Sequence, residues 1–146
     1  MNKIETQPLD EEVSFKLYTL SRLIQQTYQV FLAPLGLTYV QYLVMKILLE
    51  KDGIAVNVIS SRLVLASNTV TPLLQRMEKQ GLLVRKLMCR DQRQRIILLT
   101  DKGRAMRRQI AEVSVLVATS LSELEMNCVM ANQLKDQLND FIQKII

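Results

Sequence analysis

Between Asp10 and Leu32 the apolar residues Val13, Leu17, Leu20, Ile24 and Phe31 recur at intervals of three, four and seven, the spacing of one helix face. Pro34 and Gly36 then end the helix. Thr38 is placed to cap a second helix, Tyr39–Glu50, which is apolar on most sides and so expected inside; Lys51-Asp52-Gly53 stops it. Val56, Ile59, Leu63 and Val64 mark a short third helix. A fourth is expected from Ser67 or Asn68 to Gln80, with Val70, Leu74 and Met77 inward and Gly81 just past its end. Pro72 is expected near its first turn, where a missing N–H costs least.

The period then changes. Leu82–Leu87 and Arg95–Leu99 read as two short strands joined by the polar tip Cys89–Gln94. Thr100 should cap a long helix, with Asp101 in its first turn, running toward Ser120 despite Gly103. The last helix carries Met130, Leu134, Leu138, Phe141 and Ile145 as one stripe. Four helices, a hairpin and two helices predict a mainly α fold with a small β-hairpin wing, a winged helix-turn-helix flanked by dimerisation helices. The expected division is an N-terminal dimerisation helix (1–34), a winged DNA-binding domain (35–103) and C-terminal dimerisation helices (104–146). The outer stripes exceed what so small a domain can cover. A two-fold homodimer reading a pseudo-palindromic duplex is the natural completion.

Composition agrees with long helices: 49% of the 146 residues are hydrophobic, only 5% aromatic, with four Gly and three Pro. No apolar run approaches the roughly 18 residues of a membrane span. Met1 to Glu12 is polar and acidic and shows no secretory signal, so a cytoplasmic location without membrane partners is expected. There is no His, which excludes His-built zinc sites, Ser-His dyads and His general bases. Cys89 and Cys128 form no metal spacing, and no Gly-rich phosphate loop is present. No enzyme, metal or cofactor is expected.

Charge changes the picture more. Residues 62–108 hold twelve bases against three acids, a net +9, while the rest of the chain is net −4. A segment this basic, on a winged-helix pattern, is suited to neutralising phosphates.

The stretch Asp91-Gln92-Arg93-Gln94-Arg95-Ile96-Ile97-Leu98-Leu99-Thr100-Asp101-Lys102-Gly103 resembles the wing signature of MarR-family transcription regulators, with its acid and arginine at the tip and its closing Leu-Thr-x-x-Gly. Leu37–Leu43 and Thr69–Glu78 are similar to the OhrR/SarZ branch, the thiol-based organic-hydroperoxide sensors. Ungapped similarity runs from about Leu9 to Gly103.

The resemblance implies that Asn68 to Lys79 is the recognition helix, with Thr69, Thr71, Gln75 and Arg76 facing DNA. Arg76 could grip guanine bidentately or clamp a phosphate. Arg93, braced by Asp91, would enter the minor groove, while Arg90, Arg95 and Lys86 position the wing on phosphates. Ala66 and Asn68 depart from the acid and glycine usual in this branch, which puts half-site preference in question.

The sensor departs too. Val13-Ser14-Phe15-Lys16-Leu17-Tyr18 puts Ser14 where the branch carries its peroxide-reactive cysteine, while the companion phenols are present as Tyr28 and Tyr39. A serine cannot enter the sulfenic-acid ladder. Two readings stand: a serine paralogue, or a cysteine replaced by serine, which retention of both tyrosines favours. Cys128 is either a small core residue or the resolving cysteine found in two-cysteine members of the branch. The expected function is a homodimeric DNA-binding regulator, a repressor, responsive to organic hydroperoxide. Competing readings are release by a small phenolic or acidic ligand, and a helical interaction protein that no longer binds DNA.

Overall fold

The structure, a computed structural model, describes residues 8–88, 91–122 and 128–145, and the side chains of all of these but 88, 91–94 and 128. Two compact units divide it, Met1–Val113 and Ser114–Ile146.

In the first unit, a single 3-10 turn (Leu9–Glu11) leads into α1 (Val13–Leu32), and another (Ala33–Leu35) carries Pro34 and ends at Gly36 in the left-handed conformation. α2 (Tyr39–Glu50) starts as expected at Thr38, whose hydroxyl accepts from the Gln41 N–H at 3.4 Å while Gln41 Oε1 accepts from the Thr38 N–H at 2.9 Å. Tyr42, Val44, Met45, Ile47 and Leu48 are buried, so α2 is the central helix that its apolar pattern demanded. Buried Gln41 spends its amide N–H on Gln80 Oε1 at 3.2 Å, which ties the start of α2 to the end of the fourth helix.

After α2, the two residues Ile54 and Ala55 form β1, which the sequence pattern did not reveal. α3 (Val56–Leu63) ends at Val64, and α4 (Ser67–Lys79) follows after two residues. Val64 is not part of the α3 core face: it is exposed and holds a left-handed φ of 53°, unusual for a β-branched residue. α4 buries Val70, Leu74 and Met77 as expected, and Leu73 as well. Pro72 lies in the second turn rather than the first, so α4 lacks the hydrogen bond that residue 72 would give to the Asn68 carbonyl.

β2 (Leu83–Met88) and β3 (Asp91–Leu99) form an antiparallel hairpin, with β1 on the far side of β3. β3 is longer than its apolar core suggested. Leu87 faces Arg95 and Met88 faces Asp91, so residues 92–94 have no β2 partner and form an irregularity. Most of the expected tip is therefore strand; Cys89 and Arg90 lie outside the described residues.

Thr100 caps the next helix through a 3.0 Å bond from the Gly103 N–H to its hydroxyl, which itself donates to the Gly81 carbonyl at 2.6 Å. The expected long helix is broken: α5 (Asp101–Ala105) stops at Met106, whose N–H bonds the Gly103 carbonyl three residues back, and α6 (Arg107–Ser122) begins anew. Asp52 anchors this corner, accepting from the Gly53 and Leu99 N–H groups, both at 2.9 Å, and from Arg104 at 2.9 Å. Although burial opposes it, these donors hold the Asp52 carboxyl below its ordinary pKa.

The second unit contains the rest of α6 and α7 (Cys128–Ile145). Met130, Leu134, Phe141 and Ile145 stand exposed on α7, and on α1 Val13, Leu17 and Leu20 are likewise exposed. Among the described residues no single helix is long and apolar enough to cross a membrane.

Gly103 is buried, and a Cβ there would collide with the Leu82 carbonyl oxygen and press on Leu99. Gly103→Ala should lower unfolding stability by about 1–3 kcal/mol, as overpacking does. Urea denaturation followed by circular dichroism checks this; an unchanged midpoint would mean that α5 does not pack so closely on the hairpin.

Candidate nucleic-acid interface

α3, the short turn and α4 make a helix-turn-helix, and α4's packing decides which residues it presents. Because Val70, Leu73, Leu74 and Met77 are buried, Asn68, Thr69, Thr71, Gln75, Arg76 and Lys79 all face solvent. Every α4 residue expected at the DNA is therefore on the outer face. Thr69 Oγ1 reaches Asn68 Oδ1 at 3.4 Å near the helix start.

Beside α4 stands the hairpin. Arg95 is exposed on β3, and Lys86 on β2. Asp91 and Arg93 belong to β3, but their side chains, like the whole of Arg90, lie outside the described residues. Between α4 and the hairpin opens a cleft of about 520 Å³, bordered by Ser67, Thr71 and Gln75 on one side and by Arg85 and Arg95 on the other. Sequence reading missed this cleft and the place of Arg85 in it, because the two walls are separated in the chain and only the fold apposes them. Glu78 joins them: its carboxylate accepts from the Arg85 backbone N–H at 2.9 Å and from Arg85 Nε at 2.8 Å. The Arg85 bonds, with the nearby Arg95 charge, hold Glu78 below the usual carboxylate range.

The expected sensor residues separate into two places. Tyr28 and Tyr39 meet with ring centroids 4.8 Å apart, and Tyr42, which sequence reading did not single out, completes the cluster 5.3 Å from Tyr28. Burial above all, then the neighbouring phenols Tyr42 and Tyr39 and a hydrogen bond with Tyr42, push Tyr28 up to about 12. Burial and Tyr42 also raise Tyr39. These phenols stay protonated at neutral pH and keep their O–H donors. Ser14 is elsewhere: it is exposed in the first turn of α1, its hydroxyl 3.3 Å from Glu12 Oε2. Fourteen residues of helix separate it from Tyr28, about 21 Å along the axis at the usual rise. Within one chain Ser14 does not meet the tyrosines. Cys128 opens α7, its side chain outside the described residues.

Comparison with known proteins agrees with this architecture. The model of the transcriptional regulator SarA/Rot family matches residues 26–110. The organic hydroperoxide resistance transcriptional regulator of Bacillus subtilis (strain 168) is 36% identical over 112 residues, 77% of this chain and 76% of that protein. SarZ, an HTH-type transcriptional regulator of Staphylococcus aureus (strain MRSA252), is 31% identical over 143 residues, 97% of this chain and 93% of that protein. TtmR, an HTH-type transcriptional regulator of Methylorubrum extorquens (strain PA1), is 43% identical over 103 residues; the match spans 70% of this chain but only 53% of that longer protein. Among solved structures, reduced AbfR bound to DNA superposes with a TM-score of 0.76 at 32% identity, over 94% of each chain. The chain belongs to the SarA/Rot family of transcriptional regulators, and is a MarR-type winged-helix DNA-binding regulator of the branch that holds the organic hydroperoxide regulator and SarZ.

Proposed function

We propose that this regulator works in the cytoplasm as a homodimeric repressor that lays α4 in the major groove and the hairpin tip in the adjacent minor groove. One observation carries the DNA reading. α4 turns Asn68, Thr69, Thr71, Gln75, Arg76 and Lys79 outward, a mainly polar and cationic face interrupted only by Pro72, beside a hairpin rich in arginine. Lys and Arg on such a face release counterions from DNA, and groove-facing Thr, Gln and Arg can read base edges. In this reading Arg93 enters the minor groove with Asp91 bracing it, and Arg90 and Arg95 hold phosphates.

The dimer is supported by what a single chain leaves open. The apolar faces of α1 and α7 stay in water, and Ser14 stands far from the tyrosines to which its sequence context assigns it. A second copy would cover the first and could bring residue 14 to a partner's phenols. The O–H of Tyr39 suits an anion such as a thiolate, and that of Tyr28 would do so on turning from Tyr42, but a serine hydroxyl stays neutral. Residue 14 as it stands therefore does not sense peroxide.

Arg93→Ala should weaken binding to the duplex flanking the protein's own gene, with little change in thermal stability. Equal affinity for both proteins across a salt series would remove the wing from the interface. Replacing Leu138 and Phe141 together by Glu should yield monomer or unfolded chain in sedimentation, because charge on a covered apolar stripe is costly; a stable dimer would reject α7 as the interface.

Ser14→Cys should create hydroperoxide-triggered release of DNA that the Ser14 protein lacks, read by anisotropy before and after cumene hydroperoxide. If Cys128 resolves the oxidised thiol, a disulfide-linked dimer should appear on non-reducing gels and vanish in Ser14→Cys/Cys128→Ser. Release without that band would leave Cys128 a packing residue. No release at all would reject residue 14 as a sensor position and favour a small phenolic or acidic ligand.

A further inference from the structure

A protein that puts a helix into the major groove and a wing into the next minor groove must straddle the sugar-phosphate strand between them. On this chain the space between recognition helix and hairpin is the cleft bordered by Ser67, Thr71, Gln75, Arg85 and Arg95. We propose that this cleft is a phosphodiester seat, and that Arg85, a residue outside the expected contact set, grips the DNA backbone there from a position set by Glu78. The proposal rests on the DNA-binding reading above and adds a contact to it.

The two walls are chemically matched to a phosphate. Ser67, Thr71 and Gln75 follow one another at intervals of four residues, so they form a single stripe along α4, two hydroxyls and an amide. Across from them, Arg85 is paired with Ile97 and Leu87 with Arg95, which puts Arg85 and Arg95 on the same face of the hairpin as diagonal neighbours. Two guanidinium groups so close repel one another, and one carboxylate, Glu78, stands against them. The balance is a net positive charge, which a phosphate would neutralise. The first residues of both α3 and α4 also border the cleft, and their N-caps are Ala55 and Ala66, which offer no side-chain acceptor to the first-turn N–H groups.

Arg85 differs from the other basic residues here. Its side chain is only 17% exposed, and Glu78 takes its Nε–H and its backbone N–H together. A guanidinium carries five N–H donors in a planar fork, so fixing the Nε edge orients the rest of the plane. Glu78, at the C-terminal end of the recognition helix, is thus a positioning residue that links the helix to the arm reaching for the backbone. An arginine fixed in this way surrenders little rotamer freedom when it meets DNA.

The test is anisotropy with a labelled 30-base-pair duplex of arbitrary sequence, titrated from 50 to 200 mM salt, since a backbone contact is indifferent to sequence. Arg85→Gln/Glu78→Gln keeps the net charge of the chain and leaves a neutral hydrogen-bonding pair, so it is the decisive variant, alongside Arg85→Gln alone. Each should bind roughly tenfold more weakly at 100 mM salt, with the log–log salt slope shallower by about 0.9, the value for one phosphate. The loss should be the same on duplexes of different sequence. Glu78→Ala should also weaken binding although it adds a positive charge; tighter binding would overturn the positioning role. Circular dichroism melts establish that each variant is folded, and the charge-conserving pair stands in if the single variant is not. Salt-dependent binding by the parent with an unchanged slope in the folded Arg85 variants would overturn the phosphate seat alone. Failure of the parent to bind any duplex would instead overturn the DNA reading, and this inference with it.

Discussion

The DNA-facing surface of this chain depends on how α4 is seated. Val70, Leu73, Leu74 and Met77 are nearly or wholly removed from water, each worth about 1.5–3 kcal/mol of burial. That stripe fixes the rotation of the helix about its axis. A rotation of one residue, 100° for a 3.6-residue turn, would bury Thr71, Gln75 and Glu78 and expose Val70, Leu73 and Met77. The outward set is therefore the geometric complement of the core set. The end of α4 is fixed as well: Gln80 accepts from Gln41 and donates to the Gly36 carbonyl, and its own carbonyl accepts from Lys102 Nζ at 2.7 Å. Glu78 holds the first wing strand from the same turn. Helix and hairpin are thus positioned by one another, which is what a reader of two adjacent grooves requires.

Those same bonds connect the reading head to the tyrosines. Gln41 is the third residue of α2, between Tyr39 and Tyr42, and it bonds at once to the Thr38 backbone and to Gln80. A displacement of the start of α2 would have to break or carry this part-buried bond, and Gln41, itself buried, would lose its partner at a cost of up to about 1–3 kcal/mol. The bond thus gives a physical route by which a change at the phenols would be felt at the end of α4. It is a contact path, and coupling along it is an energy to be measured by double-mutant cycles rather than read from proximity.

Local signals in the chain were legible because they act over a few residues. Thr38 with Gln41, Thr100 with Gly103, Gly81 after α4, and the Val70-Leu74-Met77 spacing each specify their own element within one or two turns. What escaped depends on partners distant in sequence. Two residues, Ile54 and Ala55, have no period to detect and are a strand only because Ile97 and Ile96 lie alongside. The break at Met106 lies where side chains on both sides are committed: Arg104 to Asp52, and Arg107 to the Leu49 carbonyl at 3.0 Å. Gly103 read as a weak point in a helix, yet it is the place where α5 meets the Leu82 backbone. Tyr42 read as one more apolar residue of α2, and only the approach of α1 makes it part of a phenol cluster. The cleft is legible from neither wall alone.

The stripe on α1 carries the last lesson, because its periodicity was read correctly and yet it is not a core. Val13, Leu17 and Leu20 obey the spacing of a buried face but remain exposed in the single chain, and Leu32 is the one α1 residue fully inside. Periodicity reports that a face will be buried; it does not say against what. Scattered exposed leucines need no explanation, but a helical stripe that persists over about two turns does. Such faces on both the first and last helices make the stability of this chain a property of the assembled dimer in the reading proposed here, dependent on protomer concentration. The same association would join two winged domains rigidly enough to fix the distance between their recognition helices. In that reading, a signal that altered packing between α1 and its partner would act on DNA affinity without touching either helix-turn-helix, because both half-sites must be met at one spacing.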